Sequence, residues 1–94
     1  MEYKLFRGSN LVFQLWIEWV FGLAGGPVVE TLDRCWGARW RASSEGMFYS
    51  RRCKVIKEIR RRVEDGRAKD ERQVIDQLEQ LRGVRSLDWL CKNI

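Results

Sequence analysis

Arg39 and Arg41 flank a tryptophan in the segment WGARWR, and Arg51, Lys54, Lys57 and Arg61 follow at spacings of three and four. These side chains are the ones best suited to chemistry, and the chemistry is anion recognition. A guanidinium presents a planar fork of donors and an ammonium a compact charge. Between Arg39 and Arg62 stand nine basic residues and two acidic ones, a local net charge of +7; the remainder carries nine basic and eleven acidic, a net of −2. A cationic excess confined to one segment fits a polyanion, most often nucleic acid. A solvated helix face produces the same excess, and charge alone does not separate the two.

Other chemistries are poorly supplied. The chain has no histidine, so the commonest general base and the commonest neutral metal ligand are missing. Its three cysteines, Cys35, Cys53 and Cys91, are widely separated and form no C-x-x-C pair. Zinc sites need close ligand pairs and secreted disulfide frameworks an even count, so reduced thiols in a cytosolic or nuclear protein are expected. Nothing in the sequence calls for a cofactor or a metal, and no enzyme is expected. The apolar run LVFQLWIEWVFGLA, residues 11–24, follows Lys4 and Arg7 as a signal peptide would. Gln14 and Glu18 interrupt it, and it is too short to span a bilayer. A core helix is expected there, and no membrane partner.

The elements that must position the cations are helical. Ser9 and Asn10 are candidate caps for a first helix reaching about Phe21, ended by Gly22, Gly25 and Gly26. Leu15, Trp16, Trp19 and Leu23 follow helical spacing in it. Pro27 suits the first position of a second helix, VVETLDRCW, in which Val29, Leu32 and Trp36 share a face and Gly37 closes the end. A loop, ARWRASSEG, follows, with Ser43 and Ser44 as possible caps. The third helix is expected from about Gly46 to Glu64. At 100° per residue Phe48, Val55, Ile56, Ile59 and Val63 gather on one side. Ser50, Lys54, Lys57 and Arg61 gather opposite, flanked by Arg51 and Cys53. Arg52 projects into the apolar side, where a snorkelling stem or a core pairing with Glu18 or Asp33 is expected. Asp70 and Gln73 form a variant capping box for a fourth helix with Val74, Leu78 and Leu81 as its stripe and Gly83 as its stop. SLDWLCKNI supplies a last turn or two that docks Trp89 and Leu90.

These elements predict one all-α domain over residues 1–94, with its core from about 9 to 90. It is a compact tryptophan-rich bundle of three main helices with one or two more at the C-terminus. Trp16, Trp19, Trp36 and Trp40 are assigned to its core. Myb and SANT-type domains are built in a comparable way, a fold-level analogy only.

Several stretches together resemble one fungal family. LWIEW, then GGPVVETLDRCWGARWR, then FYSRR opening a basic helix stand in that family's order, followed by a closing leucine-rich helix. The family is the DNA-binding domain at the C-terminus of transcriptional activators of glycolytic genes and of related stress-response and filamentation regulators. The resemblance covers about residues 11–90. Two positions depart from it. Cys53 stands where a basic or polar residue is expected, which bears on base preference, and Val28 where serine is common, which bears on how the second helix begins. Members are large regulators, so either an excised domain or a free-standing small protein is expected.

The resemblance implies sequence-specific binding to duplex DNA, a transcription-regulatory role and a nuclear location; glycolytic activators read a short CTTCC-type element. If the third helix is the reader, its N-terminal part enters the major groove. Tyr49, Ser50, Arg51, Cys53 and Lys54 are then the candidate base contacts, with Arg51 and Lys54 foremost. Arg39, Arg41, Lys57 and Arg61 are the candidate phosphate contacts, while Trp40 anchors the loop between the first two. Arg60 and Arg62 point away. A helical module binding an acidic protein is the competing class. RNA ranks lower because its readers expose stacking aromatics, and recombinase-type DNA processing would need a separate catalytic domain. Other regulator segments or protein partners are possible, and no oligomeric state is implied.

Overall fold

The structure, a computed structural model, describes residues 2–94. Five α-helices follow in order: α1 (Val12–Val20), α2 (Val29–Trp36), α3 (Gly46–Glu64), α4 (Glu71–Arg82) and α5 (Leu87–Asn93). Two short 3-10 turns, Gly37–Trp40 and Ser43–Glu45, replace the expected loop between α2 and α3. The bundle is all-α, as its helical periodicity predicts, with a radius of gyration of 13.1 Å.

The helix ends follow local chemistry, with corrections. α3 runs over the residues its periodicity marks, and Gly66 beyond it adopts a φ of 76° that suits glycine. Asp70 caps α4 by accepting from the Gln73 amide at 3.0 Å, while the Gln73 side chain accepts from Lys69 N at 2.7 Å. Ser86 caps α5 through the Trp89 amide at 3.1 Å. Ser9 and Asn10 do not cap α1. The Gln14 carbonyl instead reaches back to accept from the Asn10 and Leu11 amides at 2.9 and 3.1 Å, and Ser9 is buried beside α5. Ser43 and Ser44 cap nothing, because a 3-10 turn already leads the chain into α3. Pro27 lies one residue before the Val28 cap of α2 rather than inside the helix.

α3 is the central rod: α1, α4 and α5 all pack on it. Val55 and Ile59 are wholly buried and Ile56 nearly so, in contact with a cluster that includes Val12, Leu15 and Trp19 of α1, Val29 and Leu32 of α2, Val74, Ile75 and Leu78 of α4, and Leu87 and Leu90 of α5. Trp40 is fully buried and Trp19 nearly so, whereas Trp16 is half-buried and Trp36 stands 40% exposed. Trp36 therefore leaves the expected core. It sits in the last turn of α2, beside the Gly37 reversal. Leu81 is likewise exposed, and Ile75 takes its place in the stripe of α4. The N-terminal segment also closes over the bundle: Leu5 is core, and Tyr3 N donates to the Trp40 carbonyl at 2.8 Å.

Arg52 is buried, as its place on the apolar side requires, yet it pairs with neither Glu18 nor Asp33. Both carboxylates are taken. Glu18 accepts from the Tyr3 hydroxyl at 2.6 Å and the Phe6 amide at 2.9 Å, and Asp33 is engaged by groups described below. Arg52 instead lies 4.5 Å from the centre of the Phe48 ring.

Candidate nucleic-acid interface

The outer face of α3 carries Ser50, Lys54, Lys57 and Arg61, all exposed, along three turns of helix. At about 1.5 Å per residue the row is about 16 Å long. Arg51 and Cys53 border it, half-buried. Tyr49, Ser50, Cys53, Lys54 and Lys57 line a solvent-open depression of about 370 Å³. Lys54 and Lys57 make no ion pair with any described residue. Four of the five candidate base contacts thus share one hollow; the fifth, Arg51, lies to its side, where its guanidinium is 4.0 Å from Asp88 of α5.

The other cations of the segment are held by the protein to differing degrees. Arg60 bonds to Glu30 of α2 at 2.9 Å, and Arg62 to Glu58 at 2.7 Å and Gln77 at 3.3 Å. Arg61 also reaches Glu58, at 2.6 Å, but stays more than half exposed. Burial would raise the Glu58 pKa, yet the two guanidiniums outweigh it and hold this carboxyl below its ordinary range. Contact with Glu58 pushes the Arg61 pKa up.

Asp33 ties the turn after α2 to the start of α3. Its carboxylate accepts from the Trp40 indole N–H at 2.8 Å, from the Tyr49 hydroxyl at 2.6 Å and, more weakly, from Arg41 at 3.4 Å. Tyr49 stacks on Trp19 with ring centres 5.8 Å apart and meets the edge of Trp40 at the same distance. The Arg41 guanidinium lies 3.7 Å from the centre of the Tyr49 ring and only 17% of its side chain is exposed. Burial and the hydrogen bond to Asp33 push the Tyr49 pKa up, so the phenol stays protonated. Arg39, by contrast, is exposed; it bonds back to the Trp36 carbonyl at 3.1 Å and lies 5.7 Å from the Trp36 ring. The 3-10 turn therefore offers one outward guanidinium, Arg39, and one packed guanidinium, Arg41.

The role of Asp33 was not legible from residue type. The signal was present: Asp33, Trp40 and Tyr49 stand seven and sixteen residues apart with a polar tip on each aromatic. Only the fold says that these tips converge. Among the described residues no group of three His, Cys, Asp or Glu side chains could hold a metal ion, and no helix is long and apolar enough to cross a membrane.

A basic helix laid across a tryptophan-rich helical bundle, with an arginine-bearing turn braced against its first residues, defines an all-helical domain with one cationic face. The chain belongs to the family described as transcriptional activator of glycolytic enzymes, whose model matches residues 3–82. This is a family of transcriptional regulators rather than an enzyme class. A similar protein is the high-osmolarity-induced transcription protein 1 of Kluyveromyces lactis, 29% identical over 87 residues. That match takes in 93% of this chain but only 12% of the relative. No solved structure matches.

Proposed function

We propose that the chain is the sequence-specific, duplex-DNA-binding domain of a nuclear transcription regulator, with α3 as its reading helix in the major groove. The observation that carries this is the outer face of α3: Ser50, Lys54, Lys57 and Arg61 are exposed in one row, the two lysines without a carboxylate partner and Arg61 sharing Glu58, while the neighbouring Arg60 and Arg62 are tied to carboxylates. A helix about 10–12 Å across fits a groove about 12 Å wide. In this reading Arg51 and Lys54 bond guanine edges, with Ser50, Cys53 and Tyr49 forming the floor that meets the bases. Tyr49 contributes its ring rather than its hydroxyl, which Asp33 holds. Lys57, Arg61 and Arg39 take phosphates. Arg41 contributes charge at the groove edge from its packed position on Tyr49. Phosphate contacts set the register and base contacts select the site.

Selection of bound duplexes from a random pool, followed by titration at two salt concentrations, tests this. A shared motif among the selected duplexes is expected. With about six phosphates neutralised, affinity should fall by about a thousandfold between 50 and 200 mM salt. Feeble binding without a motif at both salts would overturn it and point to an acidic protein as the occupant of this face.

A further inference from the structure

On the side of the bundle where the N-terminal segment meets α3, α4 and α5, a cavity of about 400 Å³ is lined by Ser9, Arg52, Arg82, Arg85, Ser86 and Asp88, among others. Six buried side-chain nitrogen or oxygen atoms among the described residues have no hydrogen-bond partner in the protein. Five of them belong to residues of this one lining: Ser9 Oγ, Arg52 Nε and Nη1, Arg82 Nε and Asp88 Oδ1. Unpartnered buried groups of this kind are rare and costly in folded proteins, so their concentration calls for a ligand. Arg52 is only 5% exposed and the Arg82 side chain 13%. Arg85 stands at the exposed rim, its guanidinium 4.2 Å from the Trp89 ring centre.

The polar atoms specify the ligand's chemistry. Arg52 offers Nε and Nη1, Arg82 offers Nε alone because Glu79 and the Arg85 carbonyl hold its other nitrogens at 2.7 Å each, and with Arg85 and the Ser9 hydroxyl these donors suit a tetrahedral oxyanion. Asp88 is a carboxylate, an acceptor without a proton, and a fully ionised oxyanion in the cavity would be repelled by it. An oxyanion that keeps one hydroxyl satisfies both sides, giving acceptor oxygens to the arginines and its own proton to Asp88 Oδ1. We propose that this cavity binds the monohydrogen phosphate group, as inorganic phosphate or as a small phosphate monoester in its singly protonated form, and discriminates against sulfate. A DNA phosphodiester has no such hydroxyl, so the site is separate from the face of α3 and stands whether or not that face reads DNA. Its volume lies within the range of about 300–1,000 Å³ usual for small-ligand pockets.

The test is a nitrogen-15 spectrum of the arginine Nε–H groups of the whole chain, titrated at constant ionic strength with inorganic phosphate, sulfate or phosphoserine. Saturable shifts at Arg52 and Arg82 are expected with phosphate, and binding about tenfold or more weaker with sulfate, since the unmatched carboxylate oxygen of Asp88 penalises the anion that lacks a proton. Phosphoserine should gain affinity as the pH falls through its second ionisation near ~6; a response to inorganic phosphate alone would confine the ligand to the free ion. Asp88→Asn, at a half-exposed position that leaves the core intact, should erase the preference for phosphate over sulfate because an amide can donate. Arg85→Gln at the rim should weaken phosphate severalfold. Equal shifts with phosphate and sulfate spread over the exposed Arg39, Arg60 and Arg61 would overturn the proposal as mere screening. Unmoving Arg52 and Arg82 signals would overturn it in favour of internal pairing of Arg52 with Asp88.

Discussion

Asp33→Ala tests whether the turn carrying Arg39 and Arg41 is held by one carboxylate. The substitution strands the Trp40 indole N–H, on a side chain with no exposed surface, and the Tyr49 hydroxyl, on a half-buried one. A buried donor left without a partner costs about 1–3 kcal/mol. Tyr49 can turn its hydroxyl toward water and belongs at the low end of that range; Trp40 cannot. The total is about 2–4 kcal/mol, set against about 5–15 kcal/mol for a domain of this size. At about 4–8 °C per kcal/mol the midpoint should drop by roughly 10–30 °C. Tyr49→Phe is the control. It removes one donor and leaves Asp33 two others and partial access to water, so its cost should be about 1 kcal/mol. Asp33→Asn, which keeps one acceptor oxygen, should fall between. Urea denaturation followed by tryptophan fluorescence reads all three. If Asp33→Ala costs no more than Tyr49→Phe, the carboxylate is not what fixes the turn.

Lys57→Ala should weaken binding to every duplex alike and reduce the salt slope by about one, whereas Arg51→Ala should relax base preference; fluorescence anisotropy over a duplex panel separates them. Arg41→Ala should weaken all duplexes and also lower the melting temperature, because its guanidinium packs on Tyr49, and calorimetry beside the binding assay reads both. Glu58 has a folded-state pKa below its ordinary value, so its stabilising contribution is complete above the ordinary carboxylate range and is lost as the pH falls through the depressed value. Glu58→Gln should therefore lower stability at neutral pH and flatten its decline in acid, checked by denaturation at a series of pH values. Gly22 has a φ of 85°, and a Cβ there would strike the Gly26 carbonyl oxygen, so Gly22→Ala should cost at least about 1–3 kcal/mol of stability in the same assay.

Helical periodicity is a local property, and where it was strong the fold was legible. The nineteen residues of α3 carry buried positions at a regular angular interval and end before a glycine, so their limits could be read directly. The failures come where burial depends on what lies opposite. Trp36 shares its face with Val29 and Leu32, yet at the last position of α2 it stands 40% exposed. Leu81 stands at the correct interval one residue before the end of α4 and is 41% exposed. The segment before α1 has no period at all. Its contributions include two hydrogen bonds to Glu18, one to the Trp40 carbonyl, an ion pair from Arg7 to Glu45 and a buried Leu5, and none follows from the residues alone.

The candidate site shows why a charge total along the chain misleads about charge in space. The net of +7 between Arg39 and Arg62 counts only acids that share the segment. Two of its arginines meet carboxylates from outside it: Arg41 meets Asp33, and Arg60 meets Glu30, both on α2. A third, Arg51, has Asp88 of α5 within 4.0 Å. The cations then sort into those that hold the helices together and those that remain open to a partner. Lys54 and Lys57 belong to the second group because the helices beside α3 bring no carboxylate to its outermost row. A lysine there keeps its full field for whatever approaches, so replacing Lys54 or Lys57 should alter binding and leave stability within about 0.5 kcal/mol. Replacing Arg60 or Arg41 should lower stability first. A panel of these four alanine variants, each scored for melting temperature and for duplex affinity, would fail the division if the two lysines proved as destabilising as the two arginines.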